Sequence, residues 1–204
     1  MKFCPQCGAK VHLRVPTGDD RSRSVCTVCE SVFYENPRVV VGCMVEVDLG
    51  KDLPGLLLCR RAIEPALGRW TPPAGYLELG ESARAGAARE TWEEARARVE
   101  ITAPFAEFDL LHVGQLYRMY RARLVQPGFA AGEESLEVRT FSLADIPFGE
   151  LAFPVLEVAL RLYVADRRAN TRAVHLGSLV WSGEGSRFDV SNYTVEGHLA
   201  FRLA

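Results

Sequence analysis

The chain reads as helices and a β-sheet layered around one core, α/β or α+β in class, preceded by a small module rich in cysteine. Three observations carry this reading. Runs of β-branched residues alternate in mixed order with two helix-forming stretches, as expected when sheet and helix share an interior. Of the 204 residues 48% are apolar, enough for a real core, and the length suits one medium domain plus an accessory unit. Four of the six cysteines fall in the first 29 residues as two Cys-x-x-Cys pairs.

Those pairs, Cys4-Pro5-Gln6-Cys7 and Cys26-Thr27-Val28-Cys29, are separated by eighteen residues. That spacing reads as a tetrahedral zinc site in which each pair supplies two thiolates. Residues 1–34 are too few to bury a core of their own, so the ion takes its place. Two disulfides or a redox pair are the competing reading, and a reducing cytosol disfavours them. Cys43 and Cys59 stand singly in VVVGCMVEV and GLLLCRRA and read as buried, inert thiols.

A short hinge, Glu35-Asn36-Pro37, leads into a second domain expected over 35–168. RVVVGCMVEVD (38–48) is rich in β-branched residues and predicts a buried strand. A turn over Lys51–Gly55 and a second strand over 55–62 complete a hairpin. Prolines stiffen and bend 68–75 and disfavour a regular central strand there. Ser82 then caps a helix over 83–98, built almost wholly of good helix formers. Strands follow at 99–110 and 115–125, a loop at 127–135, a strand at 136–141 and a capped turn at 142–147. An amphipathic helix spans 154–168. Beyond Asn170 the pattern weakens, and 169–204 is expected as a C-terminal tail or as the contact arm of a homodimer.

The net charge of −2 provides no bulk attraction for nucleic acid or an anionic membrane. No apolar run approaches the ~20 residues that cross a bilayer, and MKFCPQC lacks the apolar core of a signal peptide. A soluble, cytoplasmic protein is expected, with neither a membrane nor nucleic acid as its partner.

The densest chemical signal is RETWEEA (89–95), where Glu90, Glu93 and Glu94 share one side of the second domain's first helix. Like charges four residues apart cost a helix roughly 0.2–0.5 kcal/mol per pair. Either the face is solvated and relieved by Arg89 and Arg98, or a cation lies among the carboxylates. Hard divalent cations such as Mg²⁺ take carboxylate oxygens together with substrate phosphates, so the second reading suits phosphoryl chemistry.

Residues 75–97, GYLELGESARAGAARETWEEARA, resemble the box of the Nudix hydrolases, G-x5-E-x7-R-E-U-x-E-E-x-G-U, where U is aliphatic. Every charged position and the first glycine match at that spacing. Thr91 replaces an aliphatic residue, and Arg96 replaces the glycine that ends the helix, which implies a longer helix here. The resemblance implies an α/β/α sandwich with a mixed sheet, and the box as loop–helix–loop. It implies Glu90, Glu93 and Glu94 as ligands of Mg²⁺ or Mn²⁺, joined by the carbonyl of Ala74. Glu81 and Arg89 would brace the loop against the helix. A further ligand or general base comes in many members from a distal loop, where Glu133, Glu134 and Glu137 stand and Glu134 and Glu137 are favoured.

The family cleaves a nucleoside diphosphate linked to a variable group, and that group is set outside the box. PFAEFDLLHVGQLYRMY follows the box here, in place of the SQPWPFP-like residues of NADH pyrophosphatases. His112 and Val113 stand near where many ADP-ribose pyrophosphatases carry a proline. NPRVVVGCMVE, LLCRRAIEP, GRWTPPAGYLELGES and ESLEVRTFSLADIPF are similar to a ribbon-bearing Nudix subgroup that includes the plant chloroplast FAD pyrophosphatase. The resemblance implies FAD, cleaved to FMN and AMP, or ADP-ribose as substrate. NADH or another nucleotide, or a non-catalytic nucleotide sensor or nucleic-acid regulator, are the alternatives. Arg60, Arg61 and Arg69 are candidates to meet phosphates. Tyr76 offers a stacking face, as do Tyr34, Trp70, Tyr117 and Phe129.

Overall fold

The computed structural model describes residues 1–50 and 54–203 and divides after Pro37 into two units. In the first, three short strands, β1 (Val11–Arg14), β2 (Arg23–Cys26) and β3 (Val32–Phe33), form an antiparallel sheet in that order. Its interior is very small: apart from Cys4 and Cys26, Val25 is the one buried apolar side chain among the described residues of this unit. The four cysteines converge instead, with every Sγ within 4.8 Å of the others and no disulfide between them.

The second unit begins with β4 (Arg38–Val47) and β5 (Gly55–Arg61); Lys51–Leu53 of the expected turn lie outside the described residues. Two short strands, β6 (Trp70–Thr71) and β7 (Ala74–Tyr76), lead to α1 (Ala83–Ala95). There follow β8 (Val99–Leu110), β9 (Gln115–Leu124), β10 (Ser135–Phe141) and α2 (Pro154–Arg168). The chain ends in β11 (Ala173–Trp181) and β12 (Tyr193–Arg202). The sheet runs β10-β5-β4-β9-β8-β11-β12, with β6 paired to β5 and β7 to β4. It is mixed: β4–β9 and β8–β11 are parallel and the remaining pairs antiparallel.

Successive side chains of a strand face opposite sides, and β4 uses both. Val41, Cys43 and Val45 pack with Ala87 and Ala95 of α1. Val40 and Met44 join Val155, Ala159, Leu160 and Tyr163 of α2 on the other face. The result is an α/β/α sandwich. Cys43 and Cys59 lie inside the α1 layer, and burial pushes the Cys43 thiol up to about 12 and that of Cys59 higher still, so both stay protonated.

Two expectations are corrected here. The helix does not run on to Arg98: it stops at Ala95 because Arg96 itself turns left-handed (φ 48°), with its N–H on the carbonyl of Trp92. Arg96 thus provides the stop that glycine provides elsewhere, at a conformational cost. Residues 169–204 are not a tail: β11 runs parallel beside β8, and β12 closes that end of the sheet. The pattern is weak there because β12 is exposed along nearly its whole length and a register shift near Gly177 interrupts the pairing. Thr91, at a position the box gives to aliphatic residues, is fully buried and donates its hydroxyl to the carbonyl of Ala87 at 2.8 Å. Among the described residues no helix is long and apolar enough to cross a membrane.

Candidate active site

The acidic face of α1 is positioned by close backbone approach on two sides. β7 passes so near the helix that a Cβ at Gly75 would fall on the carboxylate of Glu90. At the far end the loop after β9 lies on the helix terminus, where Ala130 and Gly132 donate N–H groups to the carbonyls of Ala95 and Glu94 at 2.9 and 3.0 Å. A side chain at Gly132 would collide with the carbonyl of Glu93. Carbonyls left open at a helix end are satisfied in this way, and Glu133 and Glu134 are carried to the acidic face.

Arg89 organises that face. Its Nε and Nη2 donate to Glu81 at 3.2 and 2.8 Å, and Nη2 also reaches the carbonyl of Tyr76 at 3.0 Å. Its Nη1 lies 2.8 Å from both Glu90 and Glu93. The pair with Glu81 joins the loop to the helix, holding the Glu81 carboxyl below the usual range and raising Arg89.

Glu94 is treated differently. It is only 5% exposed, and the hydrogen bond its carboxylate receives comes from the N–H of Ala74, at 3.1 Å. Burial pushes its pKa up to about 8, with the Ala74 N–H and the charge of Arg61 opposing the rise. Burial also raises Glu90, against the pull of Arg89. An ionised carboxylate in such a place is costly unless a positive charge compensates it. Oxygen-only donors around a buried anion fit a hard divalent cation. The carboxylates are not drawn to one point, however. Among the described residues, only the four cysteines form a group of three or more whose ligand atoms all lie within 4.8 Å.

The acids line a cavity of about 970 Å³, at the upper end of the range for small-molecule sites. Glu90, Glu93, Glu94, Glu133 and Glu134 border it, as do Ala74, Tyr76, Arg61 and Arg89. Arg61 is held by the Pro65 carbonyl (2.9 Å) and the Phe153 ring (5.1 Å). The Tyr76 hydroxyl accepts from Gln115 at 2.7 Å.

Three candidates are not brought to the cavity. Arg60 alternates to the other side from Arg61 and donates to the Gly68 carbonyl at 2.9 Å. Glu137 pairs in register with Arg60, past a shift after Ser135, and lies 4.0 Å from its guanidinium. Arg69 donates to the Leu151 carbonyl at 3.3 Å. Of the aromatics, Tyr117 borders the cavity, while Trp70 and Phe129 belong to the packed layers and Tyr34 to the first unit.

Sequence reasoning missed another part of the wall. His112, from the turn after β8, Arg187 and Phe188, from the connection between β11 and β12, and Tyr193, the first residue of β12, all border the cavity. The glycine- and serine-rich stretch SGEGS between two apolar runs is a hairpin signal by which this element could have been found.

In the first unit the cysteine sulfurs lie 3.4–3.6 Å apart where they contact. The edge of a tetrahedron with ~2.3 Å metal–sulfur bonds is about 3.8 Å. The Cys26 sulfur also accepts N–H groups from Val28 and Cys29 at 3.4 Å each, which favours its thiolate.

Comparison with known proteins agrees with this geometry. A family model described as NUDIX domain matches residues 36–162, and one described as Nudix N-terminal, a zinc ribbon, matches residues 2–35. A solved NUDIX hydrolase from Nitrosomonas europaea superposes with a TM-score of 0.82 at 46% identity, covering 87% of this chain and 98% of that one. Two curated relatives are named NAD-capped RNA hydrolase NudC. The protein from Chromobacterium violaceum is 32% identical over 99 residues, 48% of this chain and 34% of the relative. That from Vibrio atlanticus is 26% identical over 162 residues, 77% of this chain and 56% of the relative. The chain thus spans between a third and somewhat over half the length of these two relatives.

Proposed function

The chain belongs to the Nudix family, and on that premise we propose that it is a divalent-metal-dependent pyrophosphatase. Its substrate is a nucleoside diphosphate joined to a second group, FAD (giving FMN and AMP) or ADP-ribose. The observation that carries this reading is the near-complete burial of Glu94 beside Glu90, facing a cavity large enough for a nucleotide.

Glu90, Glu93 and Glu94, with the carbonyl of Ala74, hold Mg²⁺ or Mn²⁺. When bound, the cation supplies Lewis acidity toward a phosphoryl oxygen and lowers the pKa of a water. Arg89 and Glu81 keep the helix and loop in register, and Arg61 faces the phosphates. Glu134, carried on the loop that caps α1 and anchored through its carbonyl to the Ala62 N–H at 2.8 Å, takes the proton of the attacking water. Water adds at phosphorus, the bond from phosphorus to the bridging oxygen breaks, and two phosphate monoesters leave. The four cysteines hold a structural Zn²⁺. The protein acts in the cytoplasm as a homodimer, and the outer edge of β12, where Leu199 and Phe201 are exposed, supplies a contact; sedimentation equilibrium checks that assembly.

The names of the Chromobacterium and Vibrio relatives favour a second reading within the same chemistry, in which the diphosphate belongs to an NAD-linked substrate. A panel of FAD, ADP-ribose, NADH and NAD-capped RNA with Mg²⁺, separated by chromatography, decides between them. AMP released from FAD or ADP-ribose but not from the NAD-linked compounds supports the first reading, and the converse supports the second. No turnover of any of them overturns the enzymatic reading.

A further inference from the structure

The connection between β11 and β12 is crossed by hydrogen bonds of its own. Asn192 donates its amide to the Ser186 carbonyl at 2.9 Å, and its own carbonyl accepts from the Ser182 N–H at 2.9 Å. Asp189 accepts the N–H and hydroxyl of Ser191 at 2.9 and 2.7 Å. On this segment Phe188 is 45% exposed, yet it borders the cavity that holds the acids. Beside it the Arg187 guanidinium lies 4.7 Å from the centre of the Trp181 ring.

A second set of bonds joins the connection to the turn after β8. The Tyr193 hydroxyl, which has one proton, donates it to the Arg187 carbonyl at 2.9 Å. It therefore accepts from His112, whose Nε2 lies 3.2 Å away. The proton of a neutral His112 is thus on Nε2, and Nδ1, buried and without a partner among the described residues, is a bare acceptor. In strand order β11 lies three steps from β4, against which α1 packs. At 4.7–4.9 Å per step, that is about 14 Å across the sheet. The cavity thus has a charged flank and, some distance away, an aromatic one.

We infer that the connection between β11 and β12 is the platform for the planar base of the substrate. Phe188 is its stacking face, Arg187 flanks it, and the His112–Tyr193 bond holds it in place. The inference rests on the nucleotide reading above and adds that substrate class is selected by residues 182–193, outside the acidic helix. Phe188 and Arg187 are binding residues; His112 and Tyr193 are positioning residues.

The test is binding rather than turnover. Affinities of the full chain for AMP and for ribose 5-phosphate are measured by calorimetry with Mg²⁺ present, for the natural protein, Phe188→Ala and Tyr193→Phe. Removing a stacked aromatic weakens binding by roughly five- to 150-fold per base. Phe188→Ala is therefore expected to weaken AMP about tenfold or more and leave ribose 5-phosphate unchanged. Tyr193→Phe, which keeps the ring and loses the hydroxyl, is expected to weaken AMP less and ribose 5-phosphate not at all. Phe188→Leu, apolar but without an aromatic face, guards against a folding defect and is expected to behave like the alanine variant. Equal affinity of natural protein and both Phe188 variants for AMP overturns the inference while leaving the pyrophosphatase reading intact. A natural protein that binds neither AMP nor ADP-ribose and cleaves no diphosphate overturns both.

Discussion

The N–H of Ala74 points at the Glu94 carboxylate from 3.1 Å. A neutral dipole is a weak partner for a buried anion, and this relationship gives the metal-free protein a particular response to pH. The Glu94 carboxyl has an ordinary value near 4.5, and burial pushes it up to about 8 in the fold. The folded chain therefore keeps a proton that the unfolded chain releases above 4.5. The resulting stability is complete below pH 4.5 and is lost as pH rises toward 8. In EDTA, Tm should fall across that window and level off above it. Mg²⁺ or Mn²⁺ should flatten the profile by favouring the ionised carboxylate. A metal-free Tm that rises with pH over the same range would show that another group dominates.

Glu94→Gln keeps the shape of the side chain and its bond from Ala74 and removes the charge. Turnover of the best substrate should fall about a thousandfold, the loss of several kcal/mol of cation-borne stabilisation. The metal-free variant should also lose most of the pH dependence of Tm. Steady-state kinetics beside thermal melts check both; an unchanged kcat removes Glu94 from the reaction.

Arg96→Gly should stabilise the chain. A non-glycine residue in the left-handed region costs roughly 1–2 kcal/mol, and glycine gives back part of that in the entropy of the unfolded chain. A net gain near 1 kcal/mol raises Tm by about 2–4 °C in a protein of this size. A lower Tm would mean that the contact between the Arg96 guanidinium and the Trp92 ring, 5.8 Å from its centroid, outweighs the backbone strain.

Cys26→Ser should remove zinc from the first unit. That unit has almost no apolar interior, so under the proposed zinc site its fold would rest on the ion. Elemental analysis should drop from about one zinc per chain to none, and proteolysis should trim residues 1–37. Pyrophosphate cleavage should persist, since the acidic cavity lies wholly in the unit from Arg38 onward. Retained zinc in the variant would contradict the assignment.

The buried strand β4 was legible because VVVGCMVEV is apolar on both faces, as a strand with a layer on each side must be. The sandwich itself came from the resemblance of residues 75–97 to the Nudix box. The two cysteine pairs and the spacing from Gly75 to Glu94 were equally plain, because local geometry dictates residue type there. Positions set by tertiary packing were not. Nothing in Arg60-Arg61 says which of two neighbours turns inward; the pairing of β5 with β10 decides it. The left-handed Arg96 was illegible because propensity favours continuing the helix, and the loop on its carbonyls overrides that preference. The wall formed by Phe188 and Tyr193 escaped because β12 is exposed along nearly its whole length and the contact of Tyr193 reaches back to His112 across 81 residues.

Anomalous scattering from crystals soaked in manganese with ADP-ribose tests the central claim most directly. The account predicts a manganese peak between the carboxylates of Glu90 and Glu94, lost in Glu94→Gln. Bound nucleotide with no such peak, or with manganese only elsewhere on the chain, would contradict it.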